Sequence, residues 1–301
     1  MPDAELQQVW NHPAPVSAES SDTDPGPEYY GDTLVRARMD PVEPHFFGSS
    51  ERRLFGVYHG PRGRCRPHGV VLCPPGPQEY MRSHIAMRRL AALLAREGFH
   101  VLRFDYYGTG DSAGEGRHGS LSEWRENIVA AAHDISECSG ARSISVVGFR
   151  LGASLAASAP MTMDTLVLWD PVVNGSRYVE ELRAAHTRQF SGLLFPPPLP
   201  APGVGGDLLG HPLPGAMEEE LRAIDLLAQS SDRAARIALV VSEQRPEYAQ
   251  LLARLGKRAC GEPTLDYCPA VVESQADQGG AMLVSSGVLQ TLTSVLVRRA
   301  S

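Results

Sequence analysis

From residue 45 onward, short apolar runs alternate with longer stretches whose apolar residues recur at helical spacing, the pattern of a mainly parallel sheet covered by helices on both faces. Residues 53–58 and 69–73 read as strands, the second a continuous apolar run of the kind that a sheet buried on both sides requires. Residues 81–97 set Ile85, Leu90, Leu93 and Leu94 at helical spacing and stop at Gly98, where glycine ends a helix without a Cβ penalty. A strand over 100–104 and a Gly-rich loop over 108–119 lead into a helix from about 120 to 138, capped by Ser120 or Ser122. A strand over 144–147 passes through one tight turn into a short Ala-rich helix over 151–158, and a further strand, 165–169, ends at Asp170-Pro171. Residues 175–230 then break the alternation: two amphipathic helical stretches flank a Pro- and Gly-rich segment, 196–215, and read as a helical lid inserted into the fold. Strands over 237–241 and 265–272 and a helix over 282–298, whose basic end suits its C-terminal dipole, close the pattern without any internal repeat.

Residues 1–44 differ in kind. Pro, Ser, Asp and Glu surround few large apolar groups there, so this acidic segment is expected to be disordered, leaving one domain over 45–301. A chain of 301 residues that is 43% apolar suffices for one large core. A net charge of -7 with a single lysine, Lys257, argues against a nucleic-acid binder, which needs clustered basic groups. The first residues lack a basic start followed by an apolar run, and no stretch approaches about 18 unbroken apolar residues, so a cytoplasmic protein with no membrane span is expected. Five widely spaced cysteines without a C-x-x-C pair predict reduced thiols rather than a disulfide framework or a zinc site, and neither metal nor cofactor is expected.

The chemistry-bearing stretch is Gly148-Phe149-Arg150-Leu151-Gly152, where a buried strand meets a small-residue helix. In a nucleophile elbow two glycines permit the sharp turn and the close strand–helix packing, and the central residue is Ser, Cys or Asp. Arg150 holds that position, and a guanidinium that stays protonated at every physiological pH offers no nucleophilic lone pair. An ordinary strand-to-helix turn marked by two glycines is the alternative left open. A literal Gly-x-Ser-x-Gly does occur at Gly110-Asp111-Ser112-Ala113-Gly114, but inside a Gly-rich loop several residues ahead of the next helix. Ser112 is therefore expected to structure that loop at the border of a substrate pocket rather than to attack. The loop Pro74-Pro75-Gly76-Pro77-Gln78-Glu79 sits where such an elbow finds its oxyanion donors; prolines donate nothing, so the N–H groups of Gly76, Gln78 and Glu79 are the candidates, with a rigid connector as the other reading.

These residues carry a family resemblance. Residues 72–115, with Pro74-Pro75, Met81-Arg82-Ser83 and Asp105-Tyr106-Tyr107-Gly108-x-Gly110-Asp111-Ser112-Ala113-Gly114, resemble the serine-aminopeptidase-like α/β hydrolases, and within them the second type of exosortase-A-associated hydrolase. Gly148-Phe149-Arg150-Leu151-Gly152, Trp169-Asp170-Pro171-Val172 and residues 210–227 are similar to the same group, in which Arg tends to stand at the elbow. The resemblance spans roughly residues 65–230 and fades toward the C-terminus. It implies an α/β-hydrolase fold with a mostly parallel central sheet, and hydrolase chemistry at the level of the superfamily.

A serine triad also needs a histidine after the last strand and an acid to orient it. The ten histidines end at His211, so that histidine is missing, while Asp170, Glu243 and Glu273 remain as candidate acids. Cys73, at a strand end with His84 and Arg150 as neighbours in prospect, is the rival nucleophile, and a buried inert thiol is its alternative. His186 and His211 could reach the site from the lid. A cation at a helix N-terminus adds to the dipole, so Arg150 is expected to pair with Asp170 or with an anionic ligand, or else to be salt-bridged inside the fold without one. Ligands in such sheets bind at the carboxyl ends of the strands, which predicts a single pocket formed by Gly76, Gln78, Asp105, Ser112, Arg150 and Asp170. Two functions fit. One is an enzyme acting on an acyl or ester-like small molecule of a biosynthetic pathway by non-serine chemistry, with Arg150 and Asp170 as catalytic groups. The other is a pseudohydrolase that binds a ligand or a partner protein.

Overall fold

The computed structural model describes residues 42–228, 233–255, 263–268 and 286–299. The acidic lead-in up to residue 41, the end of the last expected strand, Glu273 and the start of the closing helix lie outside those residues.

The elements follow in the order β1 (Val42–Phe47), β2 (Leu54–His59), β3 (His68–Cys73), α1 (Pro77–Arg96), β4 (His100–Phe104), α2 (Leu121–Ser139), β5 (Ser143–Phe149), α3 (Leu151–Ser158) and β6 (Met163–Trp169). Next come α4 (Gly175–Phe190), the short strands β7 (Gly206–Leu208) and β8 (His211–Leu213), and α5 (Gly215–Arg222). The chain then returns to the sheet through β9 (Ala234–Val241), α6 (Pro246–Leu255), β10 (Thr264–Tyr267) and α7 (Ser286–Arg299). Eight strands form one sheet in the order β1-β2-β4-β3-β5-β6-β9-β10, in which only the β1–β2 and β2–β4 pairings are antiparallel. This is the mostly parallel sheet with helices on both faces that the alternation of apolar runs predicts.

Burial follows the pattern that made those runs visible. Every residue of β3 is buried, because the strand lies in the middle of the sheet with helices above and below. On one face α1 and α7 cover Val70, Leu72, Val101 and Val147; on the other α2, α3 and α6 cover Val71, Leu102, Val146 and Leu239. Ser120, not Ser122, caps α2: its side chain accepts the Glu123 N–H at 3.2 Å. The first helix begins at Pro77, four residues earlier than apolar spacing suggests, since proline is preorganised for a first turn and lacks only an N–H that has no helical partner there.

Three elements escape the sequence pattern. β1 starts at Val42, within the stretch read as lead-in; it is a mostly exposed edge strand, which is where a strand can carry Pro44. β7 and β8 pair as a hairpin inside the Pro- and Gly-rich part of the insertion. The third, α6, buries Tyr248, Leu251 and Leu255 at three- and four-residue spacing.

Candidate functional site

β5 ends at Phe149 and α3 begins at Leu151, so Arg150 alone makes the turn, at φ 52° and ψ −119°. A non-glycine residue in such a region costs on the order of 1–3 kcal/mol and persists only where its surroundings impose it. Here the backbone does so: Arg150 N–H donates to Trp169 O at 3.0 Å, and Arg150 O accepts from the Ala153 N–H at 3.1 Å. The flanking glycines have no substitute. A Cβ on Gly148 would stand 2.4 Å from Ala153 Cα, and one on Gly152 would stand 2.2 Å from Pro74 O. Strand and helix are thus pressed together, the close packing that a nucleophile elbow requires.

The side chain that occupies the elbow is tied down. Arg150 Nε donates to Glu79 Oε1 at 2.9 Å and Nη2 to Glu181 Oε2 at 3.4 Å, and the guanidinium carbon lies 5.4 Å from the centre of the Tyr178 ring. Tyr178 in turn donates its hydroxyl to Glu79 Oε2 at 2.7 Å. Glu79 comes from the first turn of α1, Tyr178 and Glu181 from α4, so the insertion closes directly onto the elbow. Arg150 is only 16% exposed. Burial is the largest influence and opposes its charge, but Glu79, Tyr178 and Tyr248 together outweigh it and hold the guanidinium above its ordinary pKa. Outward from Glu181 the pairing continues to Arg177 at 3.2 Å and Arg245 at 3.1 Å, and from Arg177 to Glu247 on α6 at 2.8 Å. The free volume left beside Arg150 is about 10 Å³, the space of a single water.

Asp170 is not the partner of Arg150 that the strand ends suggest. Its carboxylate accepts the Ser242 N–H at 2.7 Å and the Ser242 hydroxyl at 2.6 Å, joining the ends of β6 and β9. Burial raises its pKa, and those two hydrogen bonds oppose the rise. Two glutamates from helices reach the guanidinium, while the nearer aspartate in sequence is already used.

The other expected site residues are distributed differently from one pocket. Gly76 is buried at the start of α1; a Cβ there would lie 3.3 Å from the Tyr178 hydroxyl, from Leu151 and from Gln78, itself half-buried. The Glu79 N–H donates to Gly76 O at 3.0 Å inside the helix turn, and Gly76 lies close to the Tyr178 hydroxyl of α4. Ser112 accepts the Phe55 N–H at 2.8 Å and donates to Asp105 O at 2.6 Å, the role of a loop-structuring serine with no helix behind it. Asp105 accepts from the Tyr80 hydroxyl at 2.6 Å and from the Asp111 N–H at 3.0 Å. Cys73 is fully buried, and burial pushes its thiol pKa up, which removes it as a nucleophile. His186 accepts the Leu209 N–H on Nδ1 at 3.0 Å, its Nε2 lies 3.3 Å from Pro197 O, and it stitches two stretches of the insertion together. Among the described residues no histidine hydrogen-bonds to Arg150, Glu79 or Asp170.

Asp105 faces a second space. A cavity of about 360 Å³ lies between α1 and the α1-facing side of β2 and β4, bordered by Phe55, Val57, Met87, Arg88, Arg103 and the Tyr80–Asp105 pair. Beside it Arg103 Nε donates to His59 Nε2 at 3.1 Å. Burial, reinforced by Arg103 and Arg88, lowers the pKa of His59 to about 4. His59 is therefore neutral at pH 7 and orients Arg103 without neutralising it. The same shift sets a pH dependence. Because the folded value lies below the ordinary value near 6.5, the unfolded chain takes up the proton first, and stability falls as pH drops from about 6.5 toward 4. Urea midpoints measured across that window should decline in the wild type and decline less in His59→Gln; equal slopes would show that His59 is not held neutral by the fold.

No protein-family model and no curated protein matches the chain. Solved structures do. An esterase of Pyrococcus furiosus is similar at a TM-score of 0.58 and 16% identity, over 91% of this chain and 95% of that one. Mouse alpha/beta hydrolase domain-containing protein 10 is similar at 0.54 and 15%, over 86% of this chain and 100% of that one. An alpha-beta serine hydrolase homologue from Coxiella burnetii is similar at 0.51 and 16%, over 87% and 99%. Likeness at this identity concerns the backbone: the chain has the α/β-hydrolase fold.

Proposed function

We propose that this protein is a non-catalytic α/β-hydrolase-fold protein, in which the elbow has become a structural clamp and the fold is retained for binding a small anionic ligand or a partner protein. One observation carries the reading: the residue at the nucleophile position is a guanidinium held by Glu79 and Glu181 with about 10 Å³ of free space beside it. Non-serine chemistry on an acyl or ester-like substrate would need Arg150 free to meet a developing oxyanion, and its charge is already balanced by carboxylates. The sequence motifs resemble those of the second type of exosortase-A-associated hydrolases, and an arginine at the elbow is in keeping with that resemblance. No described helix is long and apolar enough to cross a membrane.

Purified full-length protein, offered p-nitrophenyl acetate, butyrate and octanoate and then a fluorophosphonate probe, is expected to give no turnover above buffer and no adduct by mass spectrometry. Steady ester turnover that disappears in Arg150→Ala, or a fluorophosphonate adduct on Ser112, would refute the reading.

A further inference from the structure

We propose that the cleft between α1 and strands β2 and β4 is a ligand site for a small amphipathic carboxylate, whose head group meets Arg103 and whose hydrocarbon lies along Phe55, Val57 and Met87. The site is separate from the elbow and does not depend on whether the elbow hydrolyses anything.

Size separates the two spaces first. At about 360 Å³ the cleft falls in the range of small-molecule pockets, roughly 300–1,000 Å³, whereas the space at Arg150 does not. Its lining is of two kinds: Phe55, Val57 and Met87 are apolar, while Arg103 and Arg88 are cationic. Asp105 and Asp111 are the acidic groups on the same wall. Asp105 already accepts a hydrogen bond on each oxygen, from Tyr80 and from the Asp111 N–H.

Charge then points to the ligand. Arg103 is half-buried, and burial pulls its pKa down further than the nearby Tyr80 and Asp105 hold it up, so its charge is only partly compensated. Its Nε donates to neutral His59, which offers an acceptor and no negative charge. Among the described residues neither Arg103 nor Arg88 has a carboxylate within 4.0 Å, although Arg150, Arg177 and Arg245 around the elbow have two or three each. That leaves the terminal nitrogens of Arg103 as a planar fork of donors at the edge of an apolar cavity. Such a fork matches a carboxylate in two-point geometry, and the apolar walls favour a hydrocarbon behind it.

Isothermal titration calorimetry of the full chain at pH 7.5 with octanoate, octylammonium and octan-1-ol tests this. Octanoate is expected to bind once per chain, octylammonium not at all, and octan-1-ol at least tenfold more weakly than octanoate. Arg103→Gln should weaken octanoate at least tenfold, and Val57→Trp, which places an indole in the cavity, should abolish binding. Thermal melts of each variant without ligand establish that it is folded. Should Arg103→Gln fail to fold, the head-group series and Val57→Trp decide alone. The proposal is overturned by the absence of saturable octanoate binding, by equal affinity for octan-1-ol, or by undiminished octanoate binding to folded Arg103→Gln or Val57→Trp.

Discussion

Arg150→Ser is expected to restore a Gly-x-Ser-x-Gly elbow in sequence, to gain no esterase activity and to lose stability by about 3 kcal/mol, the lower end of the cost of breaking a buried ion pair from one side. The reason is the company Arg150 keeps. Removing the guanidinium leaves Glu79, 25% exposed, with the Tyr178 hydroxyl but without its cation. A new serine would find no imidazole to take its proton, since no described histidine hydrogen-bonds to the elbow or its partners. Differential scanning calorimetry should show Tm lower by roughly 6–12 °C for a domain of this size. Glu79→Gln in the same chain should recover part of that loss, because the pair is coupled. Ester turnover by Arg150→Ser would mean that a base reaches the elbow after all; an unchanged Tm would mean that the clamp contributes nothing.

Gly152→Ala should be at least as damaging, costing about 3 kcal/mol or more through overpacking that has nowhere to relax. Its Cβ would meet Pro74 O at 2.2 Å and Cys73 O at 2.6 Å, and both are backbone atoms at the end of a central strand. Gly192→Ala is the matched control, since a Cβ there meets nothing within 4 Å. Soluble expression and urea unfolding of the two variants decide it. A Gly152→Ala protein with the wild-type midpoint would contradict the close packing of α3 against β3.

The strand, one-residue turn and helix around Arg150 were legible because their signals are local. A run of apolar β residues, two glycines four apart and an Ala-rich helix sit in one short stretch, and each responds to a physical constraint that acts over a few residues. What Arg150 does was not legible: Glu79 and Glu181 lie 71 and 31 residues away, and nothing in either neighbourhood announces a partner. The expected link to Asp170 rested on proximity of strand ends, and Ser242, also at a strand end, took that carboxylate. The cleft at Arg103 had a faint signal. A charged residue in the otherwise apolar interior of β4, His100-Val101-Leu102-Arg103-Phe104, demands either a partner or an opening. Which of the two it has depends on how α1 lies over β2, and that is a property of packing. β1 carried almost no signal, because an exposed edge strand needs little apolar alternation.

The ion pairs that join α1, the elbow, α4 and α6 have a kinetic consequence. Their partners are far apart along the chain, so they can meet only after the sheet has assembled and the long connections have closed. Contacts made that late are expected to be absent from the folding transition state. Weakening them leaves the refolding rate nearly unchanged and speeds unfolding instead. In stopped-flow experiments, Glu181→Gln should therefore raise the unfolding limb alone, marking the insertion as the bolt that sets how long the native state lasts.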